Sequence, residues 1–196
     1  MKSVLLFLSH GFEAYEASVF TDVFGWSRTH GIIPVNLVTT GLRKEIKCTW
    51  NLLVRPEIEF GKINIDDYDA LAIPGGFEDS GFYEDAFDER FLDLIRKLDN
   101  QGKIIAAICV AALPVAKSGV LKGRHATTYD LDDQHGSRRK QLEALGAIVE
   151  DKMIVIDGNI ITSTGPSTGF DVAFTLLEML TSSENGRVVK KYMRFE

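Results

Sequence analysis

The chain alternates short apolar runs with segments whose apolar side chains recur at helical spacing. Three continuous apolar runs end in small or turn-forming residues, which is typical of strands buried on both faces of a sheet. The runs cover 3–8, 70–73 and 103–108. Segments with helical periodicity separate and follow these runs. We predict helices over 14–29, 89–99, 111–117, 138–145 and 168–180.

Smaller extended segments complete the pattern. Residues 34–38 are β-branched and apolar, residues 46–60 predict a hairpin around Asn51 with Pro56 at an edge or bend, and residues 153–163 predict a second hairpin. Strands that alternate with helices indicate an α/β fold. We predict a three-layer α/β/α sandwich with a mostly parallel, flavodoxin- or Rossmann-like sheet.

Length and composition are those of one compact domain. The chain has 196 residues and is 45% hydrophobic, which is enough to bury a sizeable core. We therefore expect one domain over residues 1–196. Residues 184–196 form a distinct C-terminal tail, which we expect to pack against the domain or against a second subunit.

Charge and cysteine content argue against several classes of protein. The formal charge of -6 is spread over both halves of the chain, so we expect no nucleic-acid partner. The longest apolar run, 104–116, is too short to cross a bilayer, and no signal segment is evident, so we expect a cytoplasmic protein without membrane contact. Cys48 and Cys109 have neither CxxC nor Cys/His spacing, which argues against a disulfide framework or a zinc site.

Cys109 is the strongest candidate for chemistry. It follows the buried strand 103–108 and precedes small residues that begin a helix, which is the arrangement of a nucleophile elbow. At such a turn the helix N-terminus lowers the pKa of a thiol from its free value of about 8.5, so we predict a thiolate nucleophile. The alternative is a buried and inert cysteine.

Two further features reach the same edge of the predicted sheet. Glu16 lies one turn into the helix after the first strand, where it could be a protonated acid beside the sulfur or a general base. Gly75 and Gly76 end another strand, and a backbone N–H of this pair could bind an oxyanion together with the N–H of Val110. The alternatives are a solvated first-turn glutamate and a tight turn that needs positive φ.

These residues give the chain a specific resemblance. It resembles the ThiJ/PfpI superfamily, in the DJ-1-like branch of the class I glutamine amidotransferase-like fold, over nearly its whole length. The matching segments, in chain order, are Gly11-Phe12-Glu13-Ala14-Tyr15-Glu16, Ala72-Ile73-Pro74-Gly75-Gly76, Ala106-Ala107-Ile108-Cys109, Gly123-Arg124-His125-Ala126-Thr127-Thr128 and Thr162-Ser163-Thr164-Gly165-Pro166.

The resemblance implies roles for individual residues. Cys109 would be the nucleophile, Glu16 its carboxyl partner, and Gly76 and Val110 the oxyanion donors, with Gly75 beside them. It also implies a homodimer whose usual contact lies close to Cys48.

Several positions depart from related patterns. The histidine that often follows the Thr-Thr run is replaced by Tyr129, a poor base at pH 7 because its pKa is near 10. His135 or His10 could substitute only if the fold brings it close to Cys109. A glutaminase would need a His-x-Glu pair where this chain has 165–169, which argues against amidotransferase activity.

Neither a cofactor nor a metal is indicated. The chain contains no GxGxxG after its first strand and no P-loop. His10, Glu13 and Glu16 are regularly spaced but have no further ligand nearby, so we expect no metal site. We expect cofactor-free chemistry.

Three functions remain open, and we leave open whether the protein is an enzyme. The first is handling of a small reactive carbonyl by Cys109 and Glu16, in the manner of a glyoxalase or deglycase. The second is hydration of an isonitrile-type substrate. The third is a non-enzymatic role in the oxidative-stress response, in which an oxidant converts Cys109 to a sulfinate stabilised by Glu16. The expected partner is therefore a small electrophile or an oxidant.

Overall fold

The computed structural model describes residues 1–195. The predicted domain and its tail both extend to Glu196, which lies outside the described residues. Residues 1–195 form eleven strands: β1 (Lys2–Phe7), β2 (Val35–Gly41), β3 (Ile46–Lys47), β4 (Leu53–Val54), β5 (Ile58–Glu59), β6 (Ala70–Ile73), β7 (Ile104–Ile108), β8 (His125–Ala126), β9 (Ile148–Val149), β10 (Ile154–Asp157) and β11 (Ile160–Ser163). The helices are α1 (Ala14–His30), α2 (Phe82–Ala86), α3 (Glu89–Asn100), α4 (Ala112–Lys117), α5 (Arg138–Ala144), α6 (Gly169–Leu180) and α7 (Ser183–Tyr192).

A seven-stranded sheet in the order β10-β11-β7-β6-β1-β2-β5 forms the centre of the molecule. All neighbouring strands are parallel except β10, which pairs antiparallel with β11. Helices α1, α6 and α7 pack together and contact β2, β7 and β11, whereas α3 and α4 pack together against β6 and β7. The predicted α/β class with a mostly parallel sheet is confirmed.

The central strands are buried on both faces, which explains why they are continuous apolar runs. Residues Val4 to Phe7, Ala70 to Ile73 and Ile105 to Ile108 are fully buried. Phe7 and Phe91 stack with ring centroids 3.5 Å apart, joining β1 to α3. Because β1, β6 and β7 are parallel neighbours, their carboxyl ends lie side by side at one edge of the sheet.

The C-terminal segment packs on the domain. Helix α7 contacts α1 and α6, and the buried Asn185 side chain accepts hydrogen bonds from the backbone N–H groups of Ile32 at 2.7 Å and Ile33 at 3.1 Å. Phe195 lies against the rings of Phe170 and Phe174. The C-terminal segment therefore packs against the domain, which is the first of the two arrangements predicted for it.

Three local features differ from the predictions. Helix α2 and the short parallel pair β8–β9 carry no clear sequence periodicity because they are only five and two residues long, respectively. The helix predicted from residue 111 begins at Ala112, because Cys109–Ala111 forms a tight 3₁₀ turn first.

Among residues 1–195, none of the helices has the length and apolar character needed to span a membrane.

Candidate functional site

Cys109 occupies the turn between β7 and α4 in a backbone conformation that is rare for a residue with a side chain. Its φ is 59°, in the left-handed region. The Thr128 hydroxyl donates a hydrogen bond to the Cys109 carbonyl oxygen at 2.9 Å, which helps to hold this conformation. Ala111 and Ala112 are fully buried behind the turn, where larger side chains would not fit. The predicted nucleophile-elbow geometry is present.

Glu16 lies in the first turn of α1 and is fully buried. Its Oε2 accepts a hydrogen bond from the Gly75 N–H at 2.6 Å. Burial, together with the charge of Glu13, raises the pKa of Glu16 to about 8, although the Gly75 N–H and the Cys109 thiol oppose this shift. Glu16 is therefore mostly protonated at neutral pH and is not a solvated glutamate.

Gly75 packs against both Glu16 and Cys109, and its lack of a side chain leaves room for the two to approach each other. A Cβ at this position would lie 2.8 Å from Glu16 Oε2 and 2.9 Å from Cys109 Cβ. Gly76 is similarly confined, since a Cβ there would overlap the Gly11 carbonyl oxygen. Neither glycine has a positive φ. Close packing, not a turn that needs positive φ, accounts for both.

The prediction that the thiol pKa is lowered is wrong. Burial raises the pKa of Cys109 well above its ordinary value, and the charge of Glu16 raises it further, while the Val110 N–H and Arg138 oppose these effects only in part. Burial therefore favours the protonated form of both the Cys109 thiol and the Glu16 carboxyl.

A cavity of about 500 Å³ opens onto Cys109. Gly76 and Val110 both line it. Gly76 forms an antiparallel bridge with Phe12, and the flanking bonds run from Glu13 N to Gly75 O and from Phe77 N to Gly11 O. Gly76 thus holds the non-hydrogen-bonded position of this bridge, which turns its N–H away from Phe12.

The two residues considered as substitutes for the missing histidine behave differently. His135 lines the same cavity as Cys109, and its Nε2 lies 2.9 Å from an Asp79 carboxylate oxygen. His10 does not line this cavity, and its backbone N–H is bonded to Asp85 at 3.0 Å. The fold therefore brings His135, and not His10, to the site.

Tyr129 also faces the cavity, directly after Thr128. Burial raises its pKa, and the neighbouring charges of Cys109 and Asp133 act in the same direction. Its phenol stays protonated at neutral pH, so it can donate a hydrogen bond but cannot act as a base.

Cys48 lies in a separate environment. It is buried at the start of the turn that joins β3 to β4, and its Sγ accepts a hydrogen bond from the Leu52 N–H at 3.1 Å. The Thr49 N–H in this turn donates a hydrogen bond to the Phe12 carbonyl oxygen at 2.8 Å. This bond joins the turn to the segment between β1 and α1. Cys48 does not line the Cys109 cavity.

Sequence reasoning missed Arg138, which lines the cavity although it is only 3% exposed. Its guanidinium bonds to Glu78 at 2.8 Å and to Asp133 at 3.2 Å and lies over the ring of Tyr83. The sequence did contain an indication of this role. Arg138, Arg139 and Lys140 begin α5, and because cations at a helix N-terminus oppose the helix dipole, they need anionic partners nearby.

The chain matches the DJ-1/PfpI family over residues 2–179. It is 34% identical to Protein dj-1beta of Drosophila melanogaster over 97% of this chain and 95% of that protein. The crystal structure of Drosophila melanogaster DJ-1beta superposes with a TM-score of 0.84 at 28% identity, covering 98% of this chain and 97% of that chain.

Two relatives carry names that state an activity. Isonitrile hydratase of Pseudomonas putida is 31% identical over 65% of this chain and 52% of that protein. Deglycase PfpI of Pyrococcus furiosus is 33% identical over 58% of this chain and 62% of that protein. The resemblance seen in the sequence motifs is confirmed, and the chain belongs to the DJ-1/PfpI family.

Proposed function

We propose that this protein is a cofactor-independent enzyme that adds the Cys109 thiol to small reactive carbonyl compounds, in the manner of a glyoxalase or deglycase. One observation carries the proposal: a thiol at a left-handed turn lies beside a buried carboxyl of raised pKa, with Gly75 packed against both, at a cavity of about 500 Å³. A cavity of this size accommodates a small dicarbonyl compound.

Addition to an aldehyde begins with the ionised fraction of Glu16, about a tenth at pH 7 for a pKa of about 8. Glu16 accepts the thiol proton while the sulfur forms a bond to the carbonyl carbon. The C=O electron pair moves to oxygen, where the N–H groups of Gly76 and Val110 stabilise the charge. Glu16 then returns the proton to that oxygen, which gives a hemithioacetal.

For a dicarbonyl such as methylglyoxal, the same carboxylate completes an internal oxidation and reduction. Glu16 removes the C–H proton of the first carbon and delivers it to the second carbon, while the hydroxyl proton moves to the second oxygen. The first carbon is oxidised to a thioester and the second is reduced to an alcohol. Water hydrolyses the thioester, which releases lactate and regenerates the thiol.

The test is incubation with methylglyoxal in the absence of glutathione, with lactate measured over time. We expect lactate from the wild type and none from Cys109→Ser, with strong loss in Glu16→Gln. Glu184→Gln, an exposed change in α7, serves as the matched control. Lactate formation by Cys109→Ser would refute the covalent mechanism.

Isonitrile hydration is the second candidate. The similarity to an isonitrile hydratase supports it, and so does the raised pKa of Glu16, because a protonated acid could donate to the isonitrile carbon. Water would add across the carbon–nitrogen bond to give an N-substituted formamide. Product analysis by mass spectrometry after incubation with cyclohexyl isocyanide separates this activity from dicarbonyl conversion.

The redox alternative uses the same two residues without turnover. A protonated Glu16 could stabilise a Cys109 sulfinate by a hydrogen bond, but the raised pKa of Cys109 leaves little thiolate to react with peroxide. Intact mass after mild peroxide should gain two oxygen atoms in the wild type, but not in Cys109→Ser, if this role applies.

We also propose a homodimer in the cytoplasm, where two free cysteines would stay reduced. The β3–β4 hairpin supports a dimer because it exposes Trp50, Leu52 and Leu53, and Phe77 packs against Trp50 with centroids 5.3 Å apart. Sedimentation should give a dimer for the wild type and a smaller species for Leu53→Glu. Met153→Glu, which changes an exposed residue elsewhere, should leave the mass unchanged.

A further inference from the structure

The cavity above Cys109 is rich in carboxylates. Glu13, Glu78, Asp79 and Asp133 line it, whereas the basic side chains in its wall are Arg138 and His135. Four carboxyl groups therefore face one guanidinium and one imidazole. Since the chain as a whole carries a formal charge of only -6, this concentration of negative charge in one cleft is a local feature.

Both basic groups are already paired within the wall. Arg138 is bonded to Glu78 at 2.8 Å and to Asp133 at 3.2 Å, and its side chain is 4% exposed. His135 Nε2 lies 2.9 Å from Asp79. An anionic ligand would have to displace these partners before it could bind either group.

Glu13 also lines the cavity but takes part in none of these pairs. It occupies the residue before α1, yet its side chain makes no capping hydrogen bond. Among residues 1–195 no ion pair involves it. Its charge raises the pKa of both Glu16 and Cys109, which places it within electrostatic range of the reacting atoms.

We propose that Glu13 is a specificity-determining residue of the Cys109 cavity. The site then takes carbonyl compounds that carry an ammonium or another cationic or hydrogen-bond-donating group, and it rejects those that carry a carboxylate or sulfonate. This inference rests on the proposed function for its substrate class. Its electrostatic part concerns only access of charged molecules to the Cys109 sulfur.

The physical basis is that Glu13 is partly withdrawn from water, where a charge acts over a longer distance than in bulk solvent. A cation in the cavity gains attraction to Glu13, and an anion is repelled by Glu13 without a free cation to compensate. The difference in binding free energy between a cationic and an anionic ligand contains both the attraction and the repulsion. It is therefore larger than the difference between either charged ligand and a neutral one.

Charged methanethiosulfonate reagents test the electrostatic part without requiring catalysis. Each transfers its thioalkyl group to the Cys109 thiolate, forming a disulfide bond as methanesulfinate leaves. We would compare the aminoethyl cation with the sulfonatoethyl anion at pH 8.5, following modification of Cys109 by peptide mass. Glutathione provides the reference ratio for a free thiol.

We expect the cation-to-anion rate ratio at Cys109 to exceed that of glutathione by at least about fivefold at low salt. Glu13→Gln should lower this ratio by about threefold or more, while Glu184→Gln leaves it unchanged. Because a change in thiolate fraction affects both reagents equally, the ratio isolates the charge effect. A wild-type ratio no higher than that of glutathione, or an unchanged ratio in Glu13→Gln, overturns the proposal.

A second measurement separates this proposal from the proposed function. Consumption of two α-oxoaldehydes, neutral methylglyoxal and anionic 4,5-dioxopentanoate, is compared in the wild type and in Glu13→Gln. Preference for methylglyoxal that weakens in Glu13→Gln supports the proposal, whereas turnover of both at equal efficiency overturns it and leaves the carbonyl chemistry standing. Absence of turnover counts against the proposed function, and the reagent ratio still decides the role of Glu13.

Discussion

A hydrogen bond of 2.6 Å from the Gly75 N–H to Glu16 Oε2 fixes a fully buried carboxyl beside the Cys109 turn. The bond orients the carboxyl from one side, and the thiol interacts with the same group. Because a Cβ added at Gly75 would lie only 2.9 Å from Cys109 Cβ, Gly75 also packs closely against Cys109, and a change in any of the three residues affects the other two.

The buried carboxyl should make stability depend on pH. The folded-state pKa of Glu16 is about 8 and its ordinary value is 4.5, so the folded protein binds the proton more tightly. Its contribution is fully present below pH 4.5, declines as pH rises between these values, and is lost above about 8, by roughly 5 kcal/mol in total. Urea unfolding at pH 5, 6.5 and 8 should show this decline in the wild type and a flatter profile in Glu16→Gln. Equal slopes in the two proteins would contradict the assignment.

The reactivity of Cys109 should shift when the neighbouring charge is removed. Burial raises the pKa of Cys109 and the charge of Glu16 raises it further, so Glu16→Gln should move the midpoint of the alkylation profile to lower pH. Rates with neutral iodoacetamide between pH 6 and 10, read at Cys109 by peptide mass, give both profiles. A midpoint that stays in place would show that the two groups do not interact.

Gly75→Ala should be strongly destabilising. The new methyl group would lie 2.8 Å from Glu16 Oε2 and 2.9 Å from the Ile108 carbonyl oxygen, and we expect a loss of about 2–4 kcal/mol together with loss of activity. Gly25→Ala is the control, because a Cβ there meets nothing within 4 Å and the site is inside α1. That variant should be slightly more stable, by about 0.5–1 kcal/mol. Denaturant midpoints of Gly75→Ala and Gly25→Ala, each compared with that of the wild type, test both expectations.

Asn185 should anchor the C-terminal helix. It is fully buried, accepts from the N–H groups of Ile32 and Ile33, and donates to the Ile33 carbonyl oxygen at 3.0 Å. Asn185→Ala leaves these backbone groups without a partner, and we expect a cost of about 2–3 kcal/mol. The neighbouring exposed change Glu184→Ala should cost little in the same thermal or chemical unfolding experiment. Equal stability of both variants would exclude the anchoring role.

Periodicity alone was sufficient for the main elements of the fold. The strand at Ala70–Ile73 and the helices that begin at Ala14, Glu89 and Arg138 lie where their apolar spacing predicts them. The reason is that buried parallel strands and amphipathic helices need apolar side chains at fixed intervals. The nucleophile turn was also predictable, because an apolar strand followed by small residues leaves little room for another geometry.

The thiol shows where local reasoning fails. A helix N-terminus after Cys109 predicted a lowered pKa, but the pKa depends on burial by distant parts of the chain and on a carboxyl ninety-three positions earlier in the sequence. Desolvation is a property of the packed environment, and no pattern of neighbours along the chain reports it.

By itself, the sequence determined the α/β class, the family motifs and the identity of Cys109, Glu16, Gly75 and Gly76, because these depend on residue type and local spacing. Only the tertiary structure decided that His135, Arg138 and Glu13 share one cavity with Cys109, and that burial raises the pKa of the thiol. Those facts depend on which loops converge at the carboxyl ends of parallel strands and on how much water they exclude. Neither quantity is encoded at any single position in the chain.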